Sequence, residues 1–238
     1  AIAEEEGAKV AEIQKTVSAQ QASCQADLAK AEPAVAEAMK ALDTLDKRQL
    51  SDCKGMTTPP PGVDDIFIAT MILLASIYDK VPITKTGKVD KKQLNWDGAK
   101  KHCLGNIQEY IDMLKKTKER VDNSTFPALN MKEIRPLLAL DHFNIETIQG
   151  KNSAAGGLCG FVINIVTYYD IVITVEPKRK ALAEANATLS EANEKLAVVQ
   201  AKVKDLQEKL AVLVADLSAA EAEKADAIDT VERGQRKA

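Results

Sequence analysis

The segment LAEANATLSEANEKLAVVQAKVKDLQEKLAVLVADLSAA, from Leu182 to Ala220, decides the fold. Leu182, Leu189, Leu196, Val203, Leu210 and Leu217 recur every seven residues. Three positions after each stand Ala185, Ala192, Val199, Leu206, Leu213 and Ala220. No charge enters either row, so this is the seam of a coiled coil; a helix in a globular bundle shows a wider apolar stripe. The next position of the first row is Lys224, where the seam weakens.

A second helical segment lies near the other end. Leu28, Val35 and Leu42 form one row, with Ala31, Ala38 and Leu45 as its companion. Upstream, Val10, Val17 and Cys24 also repeat by seven, but Cys24 to Leu28 is a step of four. Such a phase change alters the supercoil locally and leaves two registers open. Pro33 lies inside this segment, lacks an amide hydrogen and is expected to kink it. The two segments are of similar length, roughly 80–95 Å each at 1.5 Å per residue. They flank a middle richer in Gly, Pro and aromatics, so the economical arrangement is an antiparallel hairpin with the middle at its turn. If Met56 faces Ile173, Leu42 comes opposite Leu189, and Leu28 opposite Lys202 or Val203.

Composition agrees with this division. Aromatics are 4% and charged residues 28% of the 238 residues, a balance that favours long helices over one large core. The first residue is Ala1 and helix-type sequence runs to Ala238, so a piece of a longer chain is expected. Between Lys80 and Lys151 stand 14 Lys and Arg against 9 Asp and Glu, a local excess of five within a chain of net charge −3. A basic middle on acidic arms suggests an acidic partner. Cys24, Cys53, Cys103 and Cys159 are scattered, with neither CxxC spacing nor zinc-type clustering beside His102 and His142. Free thiols of this kind suit a reducing cytosol. No signal peptide is visible, and the apolar run 161–175 reads as too short and too polar for a membrane span.

In the middle, Thr57-Thr58-Pro59-Pro60-Pro61-Gly62 ends the outgoing helix. Asp64 or Asp65 is expected to cap a helix running to about Ile77. A basic loop from Tyr78 to Asn95 follows, then helices over 96–104, 106–120 and 127–138, a short segment around 143–150, and a helix starting at Asn152 or Ser153 that feeds the return. The whole reads as all-α: an antiparallel two-helix coiled coil capped by a small globular bundle of about six short helices.

No catalytic constellation stands out. Gly150-Lys151-Asn152-Ser153 lacks the earlier glycine and the Ser or Thr of a phosphate loop, so nucleotide binding is not expected. Trp96, the one tryptophan, reads as a core anchor rather than a base-stacking platform. Gly156, Gly157 and Gly160 read as sites of close backbone packing. Neither a metal site nor an enzyme is expected.

Several stretches together resemble the dynein heavy-chain family: Ala31-Glu32-Pro33-Ala34-Val35, Pro59-Pro60-Pro61-Gly62-Val63, Trp96 to Lys101, Ser153 to Ile165, and Val175-Glu176-Pro177-Lys178-Arg179. The match runs through essentially the whole chain in the family's order. The resemblance implies an outgoing stalk helix over 1–56, a microtubule-binding domain over 57–174 and a returning stalk helix over 175–238. It implies a non-catalytic fragment whose ATP and Mg belong to a distant ring, which shifts stalk register and so switches affinity for the microtubule. The tubulin-facing residues it implies are Asp64 and Asp65, Lys100, Lys101 and His102, and Lys151, Asn152 and Ser153. Pro33, Pro59, Pro60, Pro61 and Pro177 would be hinge or junction positions. Where the cytoplasmic form carries a lysine before the aromatic of the last helix, this chain has Gly160 before Phe161. With the long 78–95 loop, that favours the axonemal type and a place in the cytoskeleton of a cilium or flagellum. The implied partners are α/β-tubulin and the rest of the heavy chain, with no nucleic acid and no membrane. The competing reading is the coiled-coil hinge of a chromosome-organising ATPase, which would be larger and carry β-strands.

Overall fold

The computed structural model describes residues 1–237; Ala238, the last residue of the expected returning segment, lies outside them. Among the described residues the chain forms nine α-helices: α1 (Ile2–Ala29), α2 (Glu32–Asp43), α3 (Lys47–Gly55), α4 (Val63–Leu73), α5 (Trp96–His102), α6 (Ile107–Asp122), α7 (Ala128–Leu138), α8 (Ile145–Gln149) and α9 (Ser153–Lys237). No strand accompanies them beyond one isolated bridge between Ile83 and Val89. The described residues divide into a two-helix unit, 1–22 with 178–237, and a compact unit, Ser23–Pro177.

In the two-helix unit the helices run antiparallel. Glu12, Ile13, Thr16 and Val17 share a groove with Ala185 and Thr188, whereas Glu6 lies with Glu191, Glu194, Lys195, Val198 and Val199. Both heptad rows are half-covered from Leu182 to Val203. Beyond that the seam stands open, with Leu206 64% and Leu217 61% exposed.

The register differs from the one expected. Leu45 packs where a side chain on Gly157 would sit, and Asp27 and Lys30 line a groove with Thr167, Ile171 and Thr174. Leu42 is therefore a core residue of the compact unit, and Thr188 faces Ile13 to Val17. The pairing is displaced by many residues because α2 and α3 belong to the compact core, alongside the first turns of α9. Hairpin pairing begins well before Met56.

Pro33 breaks the helix rather than kinking it. It occupies the first turn of α2, where an amide hydrogen has no helical partner, and α1 ends at Ala29. The break falls where the phase changes. Val17, Cys24, Ala31 and Ala38 keep one buried row, while its companion moves from Ile13 and Gln20 to Leu28, Val35 and Leu42. Pro177, by contrast, lies inside an unbroken α9.

In the compact unit α4 is almost wholly buried: Ile66, Phe67, Ala69, Met71 and Leu73 are inaccessible to solvent. It ends at Leu73, earlier than the expected Ile77. Asn130 of α7, 2% exposed, donates to the carbonyls of Leu73 (3.1 Å) and Ala75 (2.7 Å), and Ser76 then takes a left-handed φ of 64°. A side chain from a distant helix thus supplies the stop. Nor do Asp64 and Asp65 cap this helix. The N-cap is Gly62 at φ 88°, and the two carboxylates sit inside the first turn, where the helix dipole favours them.

The run 161–175 lies near the start of a much longer helix, α9, which corrects its reading as too short and too polar for a span. An 18-residue window of α9 is apolar and long enough to cross a membrane by composition. More than half of that window is buried, with Phe161, Val162 and Ile165 at the centre of the core. Its apolar character is what a core helix requires.

Candidate microtubule-binding site

The proline turn 57–62 organises the candidate residues. Gly62 turns the chain from the prolines into α4, and a side chain there would meet the His142 ring at 2.6 Å. His142 Nε2 lies 2.7 Å from an Asp65 carboxylate oxygen and fastens the loop before α8 to the first turn of α4. Asp64 and Asp65 are half-exposed there.

At the start of α9, Lys151 is exposed and its Nζ donates to the Pro61 carbonyl at 2.5 Å. Asn152 is the cap: its side-chain oxygen accepts from the Ala155 amide (2.8 Å), and its Nδ2 lies 3.4 Å from Cys53 Sγ. Gln49, in the first turn of α3, accepts from the Ala154 amide at 2.9 Å and helps to satisfy the opening donors of α9. Ser153 is exposed. Gly156 is crowded by the preceding helix; a Cβ there would stand 2.1 Å from Gln149 Oε1 and 2.8 Å from Gln149 Cα.

The third element is α5 with the turn into α6. Lys101 is exposed. His102 bonds Gln93 through Nε2 at 2.9 Å, and partial burial, with Lys101 beside it, holds its imidazole below the usual histidine range. Lys100 is different. Only 20% of its side chain is exposed, and its Nζ donates to the Met56 carbonyl at 2.9 Å. Trp96 Nε1 donates to the same carbonyl at 2.9 Å. The tryptophan is 8% exposed and packs edge-on against Phe67 of α4, with centroids 5.4 Å apart.

The expected site residues therefore fall into two groups. Lys151 and Asn152 come together with the turn leading to Asp64 and Asp65, through the Pro61 carbonyl. Lys100 reaches the start of the same turn, at Met56, while His102 bonds Gln93 and Lys101 is exposed. Sequence reading missed Gln49, Asn130, Met56 and His142, whose partners lie 40 or more residues away.

Chemistry elsewhere is quiet. All four cysteines are free and buried, and burial raises the Cys103 and Cys159 thiols to about 12, so both stay protonated at neutral pH. Among the described residues no group of His, Cys, Asp or Glu side chains converges as a metal site would. The buried Tyr110 hydroxyl pairs with Thr70 Oγ1 at 2.5 Å, which satisfies two polar atoms in the core.

The described residues form an all-helical compact unit and an antiparallel helical pair, with one exposed lysine, Lys151, just before α9 and another, Lys101, in the last turn of α5. The family model described as the microtubule-binding stalk of dynein motor matches residues 1–236, and the chain belongs to that family. That stalk is a non-catalytic region of the heavy chain. The chain is 43% identical over 224 residues to dynein axonemal heavy chain 17 of Homo sapiens, covering 94% of this chain and 5% of that protein. It is 43% identical over 169 residues to the dynein alpha chain of the flagellar outer arm of Chlamydomonas reinhardtii, covering 71% and 3%. A solved structure, the microtubule binding domain of dynein-c, is similar at 31% identity and TM-score 0.46, over 65% of this chain and 95% of that one. The chain thus spans only a few per cent of the curated relatives it matches. The hinge of a chromosome-organising ATPase is set aside by this membership.

Proposed function

We propose that this chain is the microtubule-contacting tip and part of the stalk of an ATP-driven dynein motor, with tubulin as its partner. The proposed tubulin-facing surface comprises the start of α4 with Asp64 and Asp65, the α5–α6 turn with Lys100, Lys101 and His102, and the start of α9 with Lys151, Asn152 and Ser153. ATP and Mg act in the distant ring of the parent heavy chain. The axonemal relatives favour a cytoskeletal location in a cilium or flagellum. Pro33, the 59–61 prolines and Pro177 are the positions where the helical path changes or gives. The stalk segments are 1–56 and 175–238 and the binding domain is 57–174, with residues 23–56 of the outgoing segment packed into the same compact unit as that domain.

The observation that carries this reading is the bond from Lys151 Nζ to the Pro61 carbonyl, which holds the start of α9 beside the turn into α4 and leaves the lysine exposed. Co-sedimentation of the chain with microtubules across a salt series tests it. Binding should weaken with salt, because exposed ion pairs are screened over about 8 Å at physiological ionic strength. Lys151→Glu should weaken binding severalfold without unfolding the compact unit. Equal pelleting of both proteins at every salt concentration would remove Lys151 from the interface.

A further inference from the structure

Helix α3 is tied to two of the three proposed tubulin-facing elements. Gln49 accepts from the Ala154 amide of α9, and Asn152 reaches Cys53. The tie to α5 is the more specific. Met56, the C-cap of α3, has an extended backbone (φ −78°, ψ 127°) that turns its carbonyl out of the helix. Two donors from one turn of α5 converge on that oxygen, Trp96 Nε1 and Lys100 Nζ, each at 2.9 Å. A carbonyl oxygen has two lone pairs, so this acceptor is saturated. The ammonium also sits 5.7 Å from the Trp96 ring centroid and 3.5 Å from Asp97, whose side chain is 92% exposed. Trp96 in turn leans on Phe67 of α4. One carbonyl therefore joins the last residue of the outgoing segment to α5 directly and to α4 through a ring contact.

A lysine that served to meet an acidic partner would keep its side chain exposed, as Lys101 and Lys151 do, whereas that of Lys100 is only 20% exposed. Lys100 instead folds back over the indole and spends its charge on an acceptor at a helix C-terminus, where a cation is favoured. We infer that Lys100 and Trp96 form a latch on the Met56 carbonyl: Lys100 is a positioning residue that fixes the α5–α6 turn relative to the end of α3, not a residue that contacts tubulin. The inference rests on the proposed function and reassigns one residue of its surface. Movement of the end of α3 is then felt at α5 without any contact between α3 and the partner.

The test compares Lys100→Met, which keeps the alkyl chain over the indole, Trp96→Phe, which keeps a ring but loses the N–H, their double variant, and Lys101→Met. Microtubule affinity is measured for each across a salt series. The latch predicts that Lys100→Met and Trp96→Phe each weaken binding by a similar factor, about three- to tenfold, the equivalent of one hydrogen bond. That factor should be the same at all salt concentrations, and the double variant should lose clearly less than the product of the two, because both donors serve one acceptor. Lys101→Met should instead flatten the salt dependence. If Lys100→Met flattens it as Lys101→Met does, or if Trp96→Phe leaves affinity unchanged, the inference is wrong. A second measurement needs no microtubule: backbone amides of residues 53–58 should exchange faster in both single variants than in the parent chain. Unchanged exchange would overturn the latch even if the parent failed to pellet, an outcome that would by itself refute only the proposed function.

Discussion

Asn130→Ala should cost the compact unit more than its size suggests. The side chain is 2% exposed, and its Nδ2 donates two hydrogen bonds, to the carbonyls of Leu73 and Ala75, where α4 stops. Each carbonyl left without its partner in a dry site costs about 1.5–2.5 kcal/mol, the lost bond included. Relaxation of the turn and the better helix propensity of alanine recover part of this, roughly 0.5–1 kcal/mol. The expected loss is about 2–4 kcal/mol, or a fall in Tm of about 5–15 °C for a unit of this size. Urea unfolding followed by Trp96 fluorescence reads it directly, since Trp96 lies in the same unit. The midpoint should fall while the slope m stays constant. A loss under about 1 kcal/mol would mean that water replaces the amide at both carbonyls, and that the end of α4 is not set by α7.

Three further outcomes follow from the same structure. Gly156→Ala should destabilise the unit by more than about 2 kcal/mol in the same urea assay, because the new Cβ meets Gln149 backbone as well as side chain. Cys103 and Cys159, both raised to about 12 by burial, should resist a thiol reagent at pH 8 in the native state and react fully in denaturant; rapid native labelling would contradict their burial. His102 should titrate below 6.5 by NMR, since burial, with help from Lys101, disfavours its charged form. The unfolded chain then takes up that proton first, so its contribution to stability is full above 6.5 and declines as pH falls through that value; a midpoint above 6.5 would reverse the sign.

Much of the architecture is readable from local pattern. The seam from Leu182 to Leu217 declares a long helix, the step at Cys24–Leu28 marks where α1 gives way to α2, and three consecutive prolines mark the turn before α4. What pattern could not supply are the long-range choices. The end of α4 depends on Asn130, a residue with no local signature as a cap. Helix α8 has only five residues, too few for a hydrophobic period to show. The register was misjudged because Ala31, Val35, Ala38 and Leu42 serve equally as seam residues and as core residues, and in the structure they are core. Of the candidate site, the residue types were legible, but Lys100 and Lys101 look alike in sequence. Only the position of the Met56 carbonyl separates them. The one available hint was a lone tryptophan four residues before a lysine, in a chain otherwise poor in aromatics.

Hydrogen exchange of the chain free and bound to microtubules tests the central claim most directly, since it locates the binding surface without altering a residue. Added protection is expected at the start of α4 (64–70), the α5–α6 turn (100–105) and the start of α9 (151–155), with α1 and the 178–237 stretch of α9 unchanged or shifted together. Protection confined to those two long helices, or spread over α7 with none at the three named segments, would contradict it.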